Sequence, residues 1–191
     1  MRFRTIAIAA ALLGATSATA AAQTTVVNFE DLSGQAALPA TYGGIEWLGG
    51  GWHHYDFAQY PYTASSGVQR AYRHSTLNQF GFVAGTATFG GAWFAGSTHV
   101  HFQLYLGGEL VHTTGVLDLS GTPTFLASGF AGEVDMVEVL TGSGGHWVID
   151  DVTYGVAAAT VTPEPGTVLL MATGLVAVGG IARRRRRRSE G

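Results

Sequence analysis

Residues 98–114 read Thr-His-Val-His-Phe-Gln-Leu-Tyr-Leu-Gly-Gly-Glu-Leu-Val-His-Thr-Thr, and no other stretch indicates the fold class as clearly. Over residues 98–106 apolar side chains alternate with polar ones, so an extended strand would have one apolar and one polar face. Gly107 and Gly108 then form a two-residue turn into a second strand over residues 109–114. The pattern predicts a β-hairpin with one buried face.

Similar patterns continue on both sides of this hairpin. Short β-rich runs separated by Gly, Pro, Ser and Asn extend from residue 24 to residue 154, and none keeps a helical period. In one run the apolar phase slips between Met136 and Val137, which predicts a β-bulge. Eight or nine short strands predict an all-β fold, a single two-sheet jelly-roll-like β-sandwich. Besides the hairpin, the predicted strands are 25–30, 45–48, 80–83, 86–94, 124–128, 133–140 and 146–154.

The central segment is strongly acidic. The chain has no Lys, and between residues 23 and 160 only Arg70 and Arg73 oppose eleven acidic residues, a formal charge of −9. An acidic surface repels phosphate backbones, so we expect no nucleic-acid partner. Cysteine is absent, so no disulfide holds this fold together and a packed core or a bound metal must do so.

The N-terminal residues form a separate segment. Arg2 and Arg4 precede an apolar run over residues 6–13, and small residues fill positions 18–22. This layout is typical of a secretory signal peptide, with cleavage after Ala20 or Ala22. We therefore predict a signal peptide at residues 1–22, removed by signal peptidase.

The C-terminal segment has three parts in a fixed order. Pro163, Glu164 and Pro165 are followed by an uncharged run over residues 167–182. As a helix, residues 166–182 would span about 25 Å, enough to cross a thin membrane. A basic cluster then holds the end of the chain in the cytoplasm. It consists of Arg183, Arg184, Arg185, Arg186, Arg187 and Arg188.

This three-part segment resembles the PEP-CTERM sorting signal of Gram-negative bacteria. In that family an exosortase, a membrane-embedded enzyme, cuts near the tripeptide and releases or transfers the protein to the cell surface, commonly in bacteria that make exopolysaccharide. The resemblance implies export through the inner membrane, transient anchoring by the C-terminal transmembrane helix, and a cell-surface or extracellular location. A plain anchor that is never cut would not need the tripeptide.

These observations divide the chain into five parts. We predict a signal peptide at residues 1–22, a β-sandwich domain at 23–156, a linker at 157–162, the sorting signal at 163–188 and a tail at 189–191.

Acidic residues end the first predicted strand, at Glu30 and Asp31, and interrupt the last, at Asp150 and Asp151. A buried carboxylate without a partner is strongly unfavourable, so these acids need compensation. The arrangement is similar to that of MAM domains and several jelly-roll carbohydrate-binding modules, where acids of the first and last strands help hold a structural calcium ion. The resemblance implies one calcium ion at these four residues. In the alternative, one Asp faces solvent, the other caps a turn, and no metal binds.

A second cluster packs aromatic residues into a Gly-rich stretch. Ring faces stack on the apolar faces of pyranoses while nearby polar atoms bond the hydroxyls, so the cluster predicts a sugar-binding surface. The alternative is that the aromatics are core or loop-anchoring residues. The candidates are Trp47, Trp52, His53, His54, Tyr55, Tyr60 and Tyr62.

The sequence contains no recognised catalytic motif: no nucleophile elbow, P-loop, dinucleotide fingerprint, His-Glu-x-x-His helix or Cys nucleophile. We therefore expect a non-catalytic surface or biofilm-matrix protein that binds carbohydrate or associates with exopolysaccharide. The alternatives are a polysaccharide-modifying hydrolase or lyase on the same scaffold, and a purely structural matrix protein. Carboxylates for a glycosidase-like pair are available, but the sequence does not place any two together. They are Glu30, Glu46, Asp56, Glu109 and Glu138.

Overall fold

The computed structural model describes residues 23–73, 78–142 and 146–157, and within these ranges the regular structure is all strand. The strands are, in chain order, β1 (Gln23–Val27), β2 (Ala36–Ala37), β3 (Thr41–Tyr42), β4 (Ile45–Trp47), β5 (Trp52–Tyr55), β6 (Arg70–Arg73), β7 (Gln79–Phe82), β8 (Ala87–Gly96), β9 (His99–Leu106), β10 (Glu109–Thr113), β11 (Leu117–Asp118), β12 (Thr124–Ala127), β13 (Glu133–Val134), β14 (Met136–Thr141) and β15 (Trp147–Val156).

The strands form two antiparallel sheets. Sheet A has the order β12-β8-β15-β6-β5-β2, with β1 paired to β15 and β13 paired to β8. Sheet B has the order β10-β9-β14-β7-β4-β3, with β11 paired to β9. The first and last strands lie side by side, with Gln23 opposite Val156. The prediction of an all-β, two-sheet sandwich is confirmed.

Aromatic side chains from the inner faces of both sheets fill the core. Trp47 of sheet B contacts Trp52 of sheet A with ring centroids 4.8 Å apart, and Trp52 contacts Trp147 at 5.9 Å. Phe89 of sheet A meets Phe102 of sheet B edge to face at 4.9 Å. Edge-on and tilted pairs are favoured because ring edges are positive and ring faces negative. Interdigitated rings therefore join the two sheets.

The predicted hairpin is present as β9 and β10. Gly107 and Gly108 form its turn with φ angles of 61° and 82°. Both angles lie in the left-handed region, which glycine adopts at little cost because it has no Cβ. Val100, Phe102 and Leu104 point into the core, which confirms the predicted apolar face.

The phase slip predicted as a bulge at Met136 is instead a change of sheet. Strand β13 pairs with β8 in sheet A, whereas β14 pairs with β7 and β9 in sheet B. Asp135 lies between them, and its Oδ2 accepts a hydrogen bond from the Gly107 N–H at 2.6 Å. Val134 and Val137 both reach the core because each belongs to a different sheet.

Strands β5 and β6, which support the candidate site, were not predicted. In β5, Trp52 points into the core while Tyr55 lies on the opposite face, so aromatic residues on both faces hide the alternation. In β6, Arg70 and Arg73 are almost fully buried, which is unusual for charged side chains. Neither segment has the apolar–polar pattern of a half-buried strand.

No helix that is long and apolar enough to cross a membrane occurs within residues 23–73, 78–142 and 146–157. The predicted signal peptide and the predicted sorting signal with its transmembrane helix lie outside the described residues.

Candidate functional site

The outer face of sheet A, which turns away from the core, carries the candidate site. Tyr55 of β5 and Tyr72 of β6 lie on this face, whereas Trp52 of β5 points into the core. Val148 of β15 and Ala95 of β8 extend the face and pack with the two tyrosines in a small apolar cluster. Because side chains alternate along each strand, four adjacent strands present one aromatic and aliphatic strip.

Residues 56–69, which we call the covering loop, cross this outer face between β5 and β6. The Phe57 ring lies 4.7 Å from the Tyr55 ring, and Tyr62 packs against the apolar cluster. The Tyr60 ring lies against Gly121, where a Cβ would overlap it. The loop therefore extends from β5 to the segment before β12, and it encloses a cleft against the sheet.

The cleft between the covering loop and sheet A has a volume of about 310 Å³. Its described lining combines four benzene-type rings with two amides and one imidazole, and it contains no carboxylate. Trp147 and Arg73 also border it, but the Trp147 ring packs in the core and Arg73 lies opposite the core residue Trp52. The lining residues are Gln35, Tyr55, Phe57, Gln59, Tyr62, Tyr72, Arg73, His146, Trp147 and Val148.

Polar groups in the cleft are held by their neighbours. Gln35 Nε2 donates a hydrogen bond to the Tyr72 hydroxyl at 2.9 Å. The His146 ring meets the Tyr62 ring edge on, with centroids 6.4 Å apart and planes at 89°. Rings with polar edges at fixed angles suit a sugar, whose C–H groups pack on aromatic faces while its hydroxyls bond the polar edges.

Arg73 borders the cleft, but it follows Tyr72 along β6 and lies opposite Trp52, so its side chain is on the inner side of sheet A. Its Nη1 donates to the Leu48 carbonyl at 2.9 Å, and its guanidinium carbon lies 5.6 Å from the Trp52 ring centroid. Its Nε is buried without an acceptor in the described part of the chain. Burial lowers the pKa of Arg73, but an arginine stays charged at neutral pH.

Arg70 braces both ends of the covering loop. Its Nη2 donates to the Phe57 carbonyl at 2.6 Å and its Nη1 to the Val68 carbonyl at 2.7 Å. The guanidinium carbon lies 3.9 Å from the Tyr55 ring centroid, a cation–π contact. Burial raises the pKa of Tyr55, and the Arg70 charge opposes part of that rise.

The acids singled out in the sequence also hold the covering loop. Glu30 Oε1 accepts hydrogen bonds from the backbone N–H groups of Val68 at 3.0 Å and Gln69 at 2.7 Å. Gly67 has a φ of 49°, and a Cβ there would overlap the Glu30 carboxylate. Glycine at this position lets the backbone approach the acid closely.

Asp150 and Asp151 bind the preceding turn of the same loop. Asp150 Oδ2 accepts from the backbone N–H groups of Ser65 at 2.8 Å and Ser66 at 3.0 Å, while the hydroxyls of both serines donate to the Asp151 carboxylate at 2.9 Å. Asp151 sits at an irregularity in the β15–β8 register with a φ of 45°. Burial raises the pKa of Asp150 to about 7, although the N–H donors of the loop lower it.

Asp31 lies apart from this group. Its carboxylate accepts a hydrogen bond from the Tyr42 hydroxyl. Burial and then this bond raise the pKa of Tyr42, so Tyr42 remains a donor at neutral pH. The structure therefore brings Glu30, Asp150 and Asp151 to one loop and leaves Asp31 outside it.

These contacts bear on the predicted calcium ion. The carboxylates of Glu30, Asp150 and Asp151 accept N–H and O–H hydrogens, which point at the oxygens that a cation would use. In the described ranges no group of three or more His, Cys, Asp or Glu is arranged to hold a metal ion. This arrangement fits the loop rather than a metal, and the calcium ion stays a prediction from sequence.

Three of the residues predicted to bind sugar point into the sandwich. Trp47 and Trp52 are 3% and 2% exposed, so they pack the core and cannot stack on a ligand in this structure. His54 is also buried, and its Nδ1 lies 3.3 Å from Gln69 Oε1. These three residues therefore fit the alternative prediction, in which the aromatic stretch provides core residues rather than a sugar-binding surface.

The other four predicted residues lie on the outer side of sheet A. Tyr55 and Tyr62 line the cleft. His53 stacks on Tyr72 with ring centroids 5.5 Å apart, and Tyr60 is 85% exposed on the covering loop. The aromatic stretch was therefore a useful signal, but only its second half reaches the site.

Sequence reasoning missed more than half of the cleft lining. Tyr72 belongs to a strand that was not predicted, and Gln35 and His146 come from distant parts of the chain. Side chains two residues apart in a strand lie on the same face, so the face of Tyr72 can be assigned only once strand β6 is known. Residues missed in this way are Gln35, Phe57, Gln59, Tyr72, Arg73, His146, Trp147 and Val148.

Comparison with known proteins gives one sequence match and several structural ones. Residues 161–187 match the PEP-CTERM protein-sorting motif, a range that contains Pro163, Glu164 and Pro165. A comparison with curated protein sequences found no significant match. The motif implies export and processing by an exosortase.

The described fold is similar to family 29 carbohydrate-binding modules. One such module is 14% identical, with a TM-score of 0.45, over 77% of this chain and 97% of that chain. Two point mutants made to probe ligand recognition by family 29 modules are each 13% identical. Their TM-scores are 0.44 and 0.45, over 76% of this chain and 99% and 100% of theirs.

Proposed function

We propose that this chain is an exported PEP-CTERM protein whose β-sandwich binds carbohydrate, without catalysis, in the cleft under the covering loop. The observation that carries the proposal is the lining of the cleft, where four aromatic rings border a space of about 310 Å³ next to two glutamines. Cleft walls of this composition provide stacking faces and amide hydrogen bonds for a sugar.

The sorting motif supports an extracellular setting for this cleft. It implies export, anchoring in the membrane and display at the cell surface. We propose that signal peptidase removes the N-terminal segment, that exosortase acts near Pro163–Pro165, and that the ligand belongs to the exopolysaccharide around the cell. The protein would then be a component of the surface or biofilm matrix.

The positions of the carboxylates favour binding over hydrolysis. A typical glycosidase uses two carboxylates across the scissile bond. Among the described residues no carboxylate lines the cleft. Glu46 and Glu138 lie on sheet B, Glu109 lies on its edge strand β10, and Asp56 accepts a hydrogen bond from Gly34 N–H at 2.8 Å.

The proposal is tested by replacing one exposed ring of the cleft. Phe57 is 48% exposed and lines the cleft, whereas Phe125 is 37% exposed on β12 and does not. We expect Phe57→Ala to weaken binding of the host's exopolysaccharide fragments about tenfold, the effect of roughly 1.4 kcal/mol. Phe125→Ala is the matched control. Calorimetric titration of the full-length chain, in a detergent without a sugar headgroup, measures both.

The competing functions give different results in the same preparation. A hydrolase would release reducing ends from the polysaccharide, and a lyase would produce unsaturated uronates with ultraviolet absorbance. A purely structural protein would show no saccharide heat in the wild type. Equal affinities of Phe57→Ala and wild type would place binding outside this cleft.

A further inference from the structure

Strand β1 begins where one of the two predicted signal-peptide cuts would leave the chain. Signal peptidase cleaves after a small residue that has a second small residue two positions before it. Ala22 and Ala20 meet this condition for a cut in front of Gln23. Gln23 is also the first residue of β1. A chain cut here therefore starts with a glutamine that already belongs to the sheet.

The backbone of Gln23 is held by the sheet, whereas its side chain is not buried. Its Cα lies opposite Val156 of β15, the first pair of an antiparallel ladder that continues to Val27 and Val152. Along β1, Gln23 is exposed and Val27 is buried. A chemical change confined to the amine and side chain of Gln23 therefore leaves the core contacts intact.

An N-terminal glutamine contains a nucleophile and an electrophile within one residue. The neutral α-amine attacks Cδ of the side-chain amide, and the new N–Cδ bond closes a five-membered lactam. The bond between Cδ and the amide nitrogen breaks, and that nitrogen leaves as ammonia with the proton that the amine gives up. Free α-amines have a pKa of about 8, so roughly a tenth of them is neutral at pH 7. No atom is oxidised or reduced, and closure within one residue avoids the entropy cost of bringing two molecules together.

We infer that Gln23 is a modification site, at which the exported chain carries a pyroglutamate lactam. The inference rests on the proposed removal of the N-terminal segment by signal peptidase. Ring closure removes the positive charge of the α-amine. The chain has no Lys, and between residues 23 and 160 its two arginines, Arg70 and Arg73, are 3% and 8% exposed. The lactam thus removes an exposed positive charge from a segment whose arginines are both buried.

The lactam also protects the pairing of the first and last strands. Aminopeptidases remove residues one at a time from a free α-amine, and a lactam offers them none. All five residues of β1 pair with β15, and Val27 at the end of β1 packs in the core. Trimming from Gln23 would remove these pairs in turn. We therefore expect the modification to keep the first strand of the domain intact outside the cell.

Mass spectrometry of the full chain, expressed in a Gram-negative host that exports it, tests the inference. A protease that cuts after Glu releases residues 23–30 from a chain that starts at Gln23. We expect this peptide to be lighter than its sequence by one ammonia and to resist stepwise N-terminal sequencing. Gln23→Asn is the matched control, because its amide is one methylene shorter and closure would need a strained four-membered ring. A synthetic peptide of residues 23–30, carried through the same steps, measures closure caused by handling.

The possible outcomes separate the modification from the proposed processing. An N-terminal Gln23 with a free amine, or closure no greater than in the synthetic peptide, overturns the inference and leaves signal-peptide removal in place. A start at Ala21 has the same meaning. A chain that still starts at Met1 overturns the proposed processing and the inference with it.

Aminopeptidase treatment gives a second readout. The wild type should keep its melting temperature after treatment, whereas Gln23→Asn should lose residues of β1 and melt at a lower temperature. Equal trimming of the two chains would contradict the lactam.

Discussion

Gly67 illustrates how one residue sets the position of the covering loop. Its backbone lies against the Glu30 carboxylate, and the next two N–H groups bond that carboxylate. A side chain at this position would have to displace the acid or the loop. Glycine is required here both for its φ of 49° and for the space a Cβ would occupy.

Substitution of Gly67 by alanine therefore costs stability in two ways, through backbone strain and through overlap with Glu30. At Gly34 the same substitution adds only backbone strain. Gly34 also has a positive φ, 69°, but no atom lies within 4 Å of a Cβ built there. We expect Gly34→Ala to lower the free energy of unfolding by about 1 kcal/mol, from backbone strain alone. Gly67→Ala should lower it by about 3 kcal/mol, because overlap with Glu30 adds to the strain. Urea unfolding of both variants measures the difference, and equal effects would show that Glu30 moves freely.

At the residue scale, the sequence indicated which kinds of side chain matter but not where they point. Trp52 and Tyr55 are three residues apart in one aromatic stretch, yet one packs the core and the other lines the cleft. The face on which each residue lies depends on strand β5. This strand is hard to recognise in the sequence because glycines precede it and aromatic residues lie on both of its faces. Arg73 carried no sequence signal, because burial of a lone arginine depends on packing between distant segments.

At the scale of elements, the covering loop is held by two independent sets of acceptors. Glu30 bonds the N–H groups of residues 68 and 69, while Asp150 bonds those of residues 65 and 66. The two acids come from opposite ends of the domain sequence. The backbone N–H groups of the loop are therefore held by two acids, in addition to the bonds that Arg70 donates to the loop carbonyls, and either acid can be replaced separately.

Hydrogen exchange can distinguish the two braces. In Glu30→Gln we expect faster exchange at the Val68 and Gln69 amides, with Ser65 and Ser66 still protected, because only the first brace is weakened. Asp150→Asn should have the opposite effect. Glu109→Gln, at an exposed residue of β10, is the control and should change neither pair. If both variants released all four amides together, the loop would open as one unit.

Elements were predictable where their determinants are local. The hairpin of β9 and β10 was found because alternation and a Gly-Gly turn lie within 17 residues. The change of sheet between β13 and β14 appeared only as a phase slip, since its cause is pairing with strands far along the chain. The covering loop, which has no regular structure, could not be placed from sequence.

At the scale of the whole molecule, calcium binding separates two explanations for the acids. A calcium ion at Glu30, Asp150 and Asp151 would join the first and last strands and raise the melting temperature of the domain. In this structure loop donors use those oxygens, so we expect millimolar calcium and excess chelator to give the same melting temperature. A calcium-dependent rise that is lost in Glu30→Ala and Asp151→Ala would support the metal predicted from sequence.

The sandwich class was predictable from the sequence because many short strands, abundant turns and no helical period allow few other arrangements. The assignment of each strand to a sheet was not, since sheet order depends on pairing between remote segments. The cleft combines residues 35, 55–62, 72–73 and 146–148, which only the completed fold brings together.

Strand β15 connects the cleft with the part of the chain that contains the sorting motif. Trp147 and Val148 at its beginning line the cleft, and Val156 at its end leads into the C-terminal segment. A pulling force between a bound polysaccharide and an anchored tail would thus run lengthwise along one strand. Because β15 has neighbours on both sides, including β8 and β6, its rupture would require many hydrogen bonds to shear together. If the proposed binding holds, the fold would thereby give the attachment resistance to mechanical load.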